Sequence, residues 1–171
     1  MYIVYTPQLC YILFTFQAMD LAFYYLRKKA ASDSGSIKWT TTDFLFDRFL
    51  VSGFQEHKGQ WSEFDKNQRS FVWKYAKTWG NYDRVLMPLL LTNEGFENHW
   101  FLAELVIDEG MIFVYDSFYS HGFGLIKEHV EKFAKLLPFV LKEIKFKDKG
   151  LDFGNEPFKL TWKSCPSQKN R

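Results

Sequence analysis

HWFLAELVIDEGMIFVYDSF, His99 to Phe118, holds two apolar runs with a turn between them, and the way they pair decides the fold. Trp100 to Ile107 and Met111 to Tyr115 have the composition of strands, and Asp108-Glu109-Gly110 separates them. With a tight turn at Glu109-Gly110 they form an antiparallel hairpin. That register sets Asp116 opposite position 103, with His99 on the same face and four residues further along. Such an offset is roughly 13 Å in a regular strand, so a bend before Trp100 is expected if the two side chains are to meet. The pairing matters chemically. An imidazole can take a proton near neutral pH, provided that a partner on its other ring nitrogen fixes the tautomer. Taken singly, a histidine at a strand edge is more often a structural or surface residue than a catalytic one.

Outward from the hairpin, Arg84 to Leu91 reads as a further strand, which Pro88 restricts to an edge or a bulge. Gln68 to Trp79 carries Phe71, Val72, Tyr75, Ala76 and Trp79 at helical spacing. Thr42-Asp43 caps a short helix bearing Phe44, Leu45, Phe49 and Leu50. Asp20 to Ala30 reads as a helix with its Leu, Phe and Tyr side chains buried. Arg27 to Lys29 close it, at the end where cations favour the dipole. On the other side, Gly122 and Gly124 mark a turn before a long amphipathic helix with Ile126, Val130, Phe133 and Leu137 on one face. Pro138 is expected to kink that helix or to start a second one. Phe158 to Trp162 is a last short strand. Helices first, then a meandering sheet and a packed helix, make the fold class α+β.

The bulk numbers narrow the function. The 171 residues make about one domain, and 47% hydrophobic with 25% charged residues is a globular composition. Aromatic residues reach 20%, which supplies core packing first and base-stacking platforms only as a second reading. The formal net charge of +2 sets up no field for a polyanion. Glu143 and Asp148 interrupt the basic cluster from Lys142 to Lys149, so no nucleic-acid partner is expected. Cys10 and Cys165 are the only cysteines, too few for a disulfide framework, which points to a reducing compartment, nuclear or cytoplasmic. Residues 1–19 form an apolar N-terminal segment with no charged side chain. Pro7, Gln8 and Gln17 interrupt it and no basic stretch precedes it, so a buried first helix is expected and no membrane partner; a membrane or targeting segment is the alternative.

The stretch from His99 to Phe118 resembles the core of the ubiquitin-like-specific proteases, the SUMO-deconjugating cysteine peptidases. SCPSQKN, Ser164 to Asn170, is similar to that family's Pro-x-Gln-x-Asn segment, which leads into Asp-Cys-Gly. The likeness runs from Asp20 to the C-terminus, so residues 20–171 are expected to be the catalytic domain, with a papain-like α+β fold. The resemblance implies that His99 is the general base and Asp116 the group that orients it. Gln168 becomes the side-chain donor of the oxyanion hole, where one donor can be worth about 3–4 kcal/mol of barrier. Trp100 would line the narrow channel for a substrate's Gly-Gly tail. The implied partner is SUMO or another ubiquitin-like modifier, acted on by a monomer without cofactor or metal. The Phe- and Lys-rich middle has the look of the plant, transposon-associated members.

Two departures from the family pattern bear on activity. The family's cysteine follows its glutamine by six positions, which is position 174 here, three beyond Arg171. The second channel tryptophan, near the N-terminal Asn/Asp motif, has no counterpart, since the first tryptophan is Trp39 and Phe16 is the candidate replacement. The expectation is a catalytic domain incomplete at its C-terminus, without turnover as it stands. The alternatives are a non-catalytic modifier-binding module or a transposon-derived remnant. Cys165 is a poor substitute nucleophile, because no helix start follows it to lower its thiol pKa. His121 and His129 lack zinc-ligand spacing, Ser117 and Ser120 sit in no G-x-S-x-G elbow, and no Gly-rich phosphate loop occurs.

Overall fold

The computed structural model describes residues 7–32, 35, 37–93, 96–117, 123–143 and 153–165. Its elements run α1 (Pro7–Ser32), β1 (Trp39–Thr41), α2 (Phe44–Glu56), α3 (Lys66–Ala76), β2 (Arg84–Asn93), β3 (Phe96–Val106), β4 (Met111–Tyr115), α4 (Phe123–Glu143) and β5 (Lys159–Lys163). The five strands make one mixed sheet in sequence order. Strands β2, β3 and β4 are antiparallel neighbours, while β1 lies parallel to β2 and β5 parallel to β4. The α+β reading holds. The short β1, whose Thr40 and Thr41 are buried, was not foreseen.

The hairpin departs from the sequence reading in a way that moves the site. Val106 faces Met111 and Leu102 faces Tyr115, so residues 107–110 all belong to the turn. A two-residue I′ turn requires positive φ at both central positions. Gly110 adopts φ 58°, but Glu109 is not among the positive-φ residues, and the turn widens accordingly. One further step in this register brings Asp116 level with Phe101, two residues from His99 instead of four. Strand β3 already begins at Phe96, and its ladder with β2 shifts register between Leu91 and Asn93, beside His99.

Alternation along the strands sorts the two faces of the sheet. Val85, Met87 and Leu89 of β2, Ala103 and Leu105 of β3, and Ile112 and Val114 of β4 are fully buried. Against them pack Ile126, Val130, Phe133 and Leu137 of α4, the face expected from its periodicity. Pro88 sits at a local edge. Its neighbours Leu86 and Leu90 direct backbone groups away from β3, Leu86 O to Thr42 N–H at 2.9 Å and Leu90 N–H to Asp47 Oδ2 at 2.8 Å. Pro88 faces the same side, two residues beyond Leu86, the last partner of β1, where no ladder donor is wanted.

Pro138 does not end α4, which runs through it to Glu143. Proline removes the N–H that would bond the carbonyl four residues back. That carbonyl, Ala134 O, instead accepts the N–H of Phe158 at 2.9 Å, just before β5. The helix therefore gives up one internal bond and gains a tie to the strand packed beside it.

Two helices are tuned differently from expectation. In α2, Asp43 caps as expected, its carboxylate accepting the N–H of Phe46 at 3.2 Å, but the buried stripe is Phe46, Asp47, Leu50 and Gly53. In α1, only Phe23 among the described apolar side chains is buried; Leu21, Tyr24, Tyr25 and Leu26 are exposed. The helix touches the sheet through β1, where Arg27 donates to Thr41 Oγ1 at 2.8 Å and to Thr42 O at 3.1 Å. Arg27 thus reaches sideways into the fold and not to the helix end. The helix also runs unbroken across residue 19. Among the described residues, no helix is long and apolar enough to cross a membrane.

Two consequences are measurable. A Cβ on Gly53 would collide with Cε2 of Phe64, whose ring is buried against Trp61. Gly53→Ala gains about 1 kcal/mol of helix propensity and loses about 1–3 kcal/mol to overpacking. A net drop in urea midpoint is expected, and an unchanged midpoint would contradict the contact. On the opposite sheet face, Glu104 accepts from Arg84 Nη1 at 2.5 Å and from the Tyr115 hydroxyl at 2.6 Å. Burial and then this hydrogen bond push the Tyr115 phenol from its ordinary value of 10.0 to about 12. The protonated phenol thus favours the fold fully below pH 10.0, and that contribution is lost as pH rises through 12. Ultraviolet titration of Glu104→Gln should show one tyrosine ionising at lower pH than in the parent chain.

Candidate active site

The corrected hairpin puts an imidazole and a carboxylate together. His99, in β3, and Asp116, just past β4, approach with Nε2 to Oδ1 at 2.6 Å. Their side chains are 13% and 1% exposed, so the pair is shielded from water and its Coulomb attraction is little screened. A carboxylate oxygen accepts, so in this contact Nε2 is the donor and the carboxylate orients the ring. An imidazole oriented through one nitrogen by a carboxylate is an element that general-base chemistry requires. Phe101, two residues along the same strand face, lies nearly parallel to the His99 ring at a centroid distance of 6.4 Å.

Cys165 comes to the same corner from β5. Its thiol donates to the backbone carbonyl of Asp116 at 2.7 Å, and it is a half-buried free cysteine. Its place suits a strut between β5 and the chain at Asp116. Trp100 is half-buried and, by strand alternation, projects to the other side of β3 from His99. Gln168 and the side chain of Phe16 lie outside the described residues. Among the described residues, no three His, Cys, Asp or Glu side chains cluster as a metal site would.

A second acid–imidazole pair escaped the sequence reading. His129 of α4 and Asp47 of α2 are both buried, with Nε2 to Oδ1 at 2.7 Å, and Asp47 Oδ2 takes the N–H of Leu90. Phe101 meets the His129 ring edge to face at 5.7 Å, so it stands between the two histidines. The signal was present in the sequence. His129 lies in the Ile126, Val130, Phe133 stripe and Asp47 between Phe46 and Leu50, and polar groups placed so deep need partners.

A mixed sheet packed on one face by helices, with a hairpin-borne histidine and aspartate, is the papain-like α+β architecture of thiol peptidases. The chain belongs to the Ulp1 protease family: residues 13–171 match its C-terminal catalytic domain. Among solved structures it is similar to the C-terminal Ulp1 protease domain in complex with Smt3, the yeast ortholog of SUMO, at 15% identity and a TM-score of 0.52. It is also similar to the SUMO protease Ulp1 with its catalytic cysteine oxidised to a sulfinic acid, at 17% identity and a TM-score of 0.48. Each comparison covers 88% of this chain and 57% of the solved one, so the chain spans less than two thirds of these structures. No curated protein sequence matches it significantly.

Proposed function

We propose that this domain is a thiol peptidase that cleaves the bond after the C-terminal Gly-Gly of a SUMO-type modifier. The observation that carries the reading is the buried 2.6 Å contact between His99 Nε2 and Asp116 Oδ1. Membership of the Ulp1 family and the likeness to a protease domain solved with Smt3 support the substrate class. In this reading Nδ1 of His99 takes the proton of a cysteine thiol at position 174. The thiolate attacks the glycine carbonyl, and the Gln168 amide donates to the resulting oxyanion. His99 then returns the proton to the leaving amine, and water hydrolyses the thioester. Trp100 would serve as a wall of the Gly-Gly channel, residues 20–171 as the catalytic domain, and a reducing compartment, nuclear or cytoplasmic, as its setting.

The reading separates three polypeptides. The 171-residue protein incubated with a SUMO fusion is expected to give no cleavage, while the same protein extended to carry Asp-Cys-Gly at 173–175 is expected to release the modifier. Cleavage by the unextended protein that vanishes in Cys165→Ser would move the nucleophile to Cys165 and overturn the assignment. Micromolar modifier binding by both polypeptides with cleavage by neither would favour a binding module.

A further inference from the structure

A second open space borders the strand pair that carries His99, since its lining residue Leu91 pairs with His99. A cavity of about 590 Å³ opens between α2 and the first half of α4, at the end of β2. That volume is within the range of small-molecule sites, roughly 300–1,000 Å³. Phe44, Val51, Leu90, Leu91 and Leu125 give it apolar walls, and Asp47 and His129 form part of its lining. Asp47 offers nothing further to a guest, because one oxygen takes the His129 ring and the other the N–H of Leu90.

The cations of the lining are less fully engaged. Lys132 is only 14% exposed, and the carboxylate beside it, Glu128, stands 3.6 Å away and is 68% exposed. An ion pair that open to water is weak. Arg48 also lines the cavity and enters no ion pair among the described residues. Two cations and one further carboxylate, Glu128, therefore line a chamber of mixed polar and apolar surface in which the buried acid is already satisfied. The guest that fits has one anionic head for the guanidinium and the ammonium and an apolar body for the walls.

We propose that this cavity binds a small amphipathic monoanion, a carboxylate on an aliphatic chain, with Arg48 and Lys132 at its head group. The cavity adjoins His99 through Leu91, but the proposal does not require His99 to act as a base. Decanoate is a suitable probe, titrated into the 171-residue protein below its micelle-forming concentration while backbone amides are followed by NMR. Saturable shifts confined to Val51, Ser52, Leu91, Thr92 and Lys132 are expected. Binding should weaken roughly tenfold or more in Arg48→Gln/Lys132→Gln, the effect of losing charged hydrogen bonds. Decan-1-ol, lacking the charge, should bind the parent and the double variant alike. Shifts that never saturate, or that centre on the exposed Tyr24 and Tyr25 face of α1, would overturn the proposal, as would equal affinity in the double variant. Arg48→Gln alone changes only an exposed side chain, so it repeats the test if the double variant fails to fold.

Discussion

Asp47→Ala is expected to lower the unfolding free energy by about 3–5 kcal/mol, the usual result of breaking a buried pair by removing one member. Two donors depend on that carboxylate, His129 Nε2 at 2.7 Å and the N–H of Leu90 at 2.8 Å, and alanine satisfies neither. Both side chains of the pair are at least nine-tenths buried, so water does not repair the loss. Urea unfolding of the two chains measures it. Asp47→Asn keeps an acceptor for Leu90 and should recover part of the difference; a loss below about 1 kcal/mol for alanine would show that the pair is not needed.

The second large effect belongs to His99. In the extended polypeptide that carries a cysteine at position 174, His99→Ala should reduce kcat by about 10²–10⁴-fold, the range ascribed to one positioned acid–base group. Asp116→Ala should cost less than His99→Ala, since the imidazole keeps its base nitrogen but loses the tautomer set by Oδ1. Cys165→Ser should leave turnover nearly intact, because a serine hydroxyl can also donate to Asp116 O. Single-turnover kinetics on a SUMO fusion distinguish the three. A His99→Ala chain as fast as its parent would remove the histidine from the chemistry.

Much of this architecture could be read from residue order, and the failures have physical causes. The α4 stripe was legible because helical periodicity spans five turns there, averaging over any single exception. The hairpin's strands were legible but its register was not. Whether Ile107 and Asp108 belong to strand or turn depends on φ at Glu109, which side-chain chemistry does not disclose. That single ambiguity moved Asp116 by two residues and created a gap of several ångströms on paper. The exposed face of α1 was misread because Leu, Phe and Tyr at helical spacing look buried wherever a partner surface exists, and here β1 is narrow enough to cover only Phe23 and Arg27. The pair of Asp47 and His129 was missed since its members lie far apart in the chain. Only the packing of α2 on α4 brings them together. Gln168 rests on the family likeness alone.

The proline in α4 has a bearing on local opening. Strands β2, β3 and β4 pair with near neighbours in the chain, while β1 reaches β2 across α2 and α3 and β5 reaches β4 across α4. Just before β5, the Phe158 N–H meets the carbonyl that Pro138 vacates. Hydrogen exchange at that amide therefore reports how firmly β5 is docked on α4. If it exchanges faster than the amides of β3, the C-terminal strand can lift away while His99 and Asp116 stay joined.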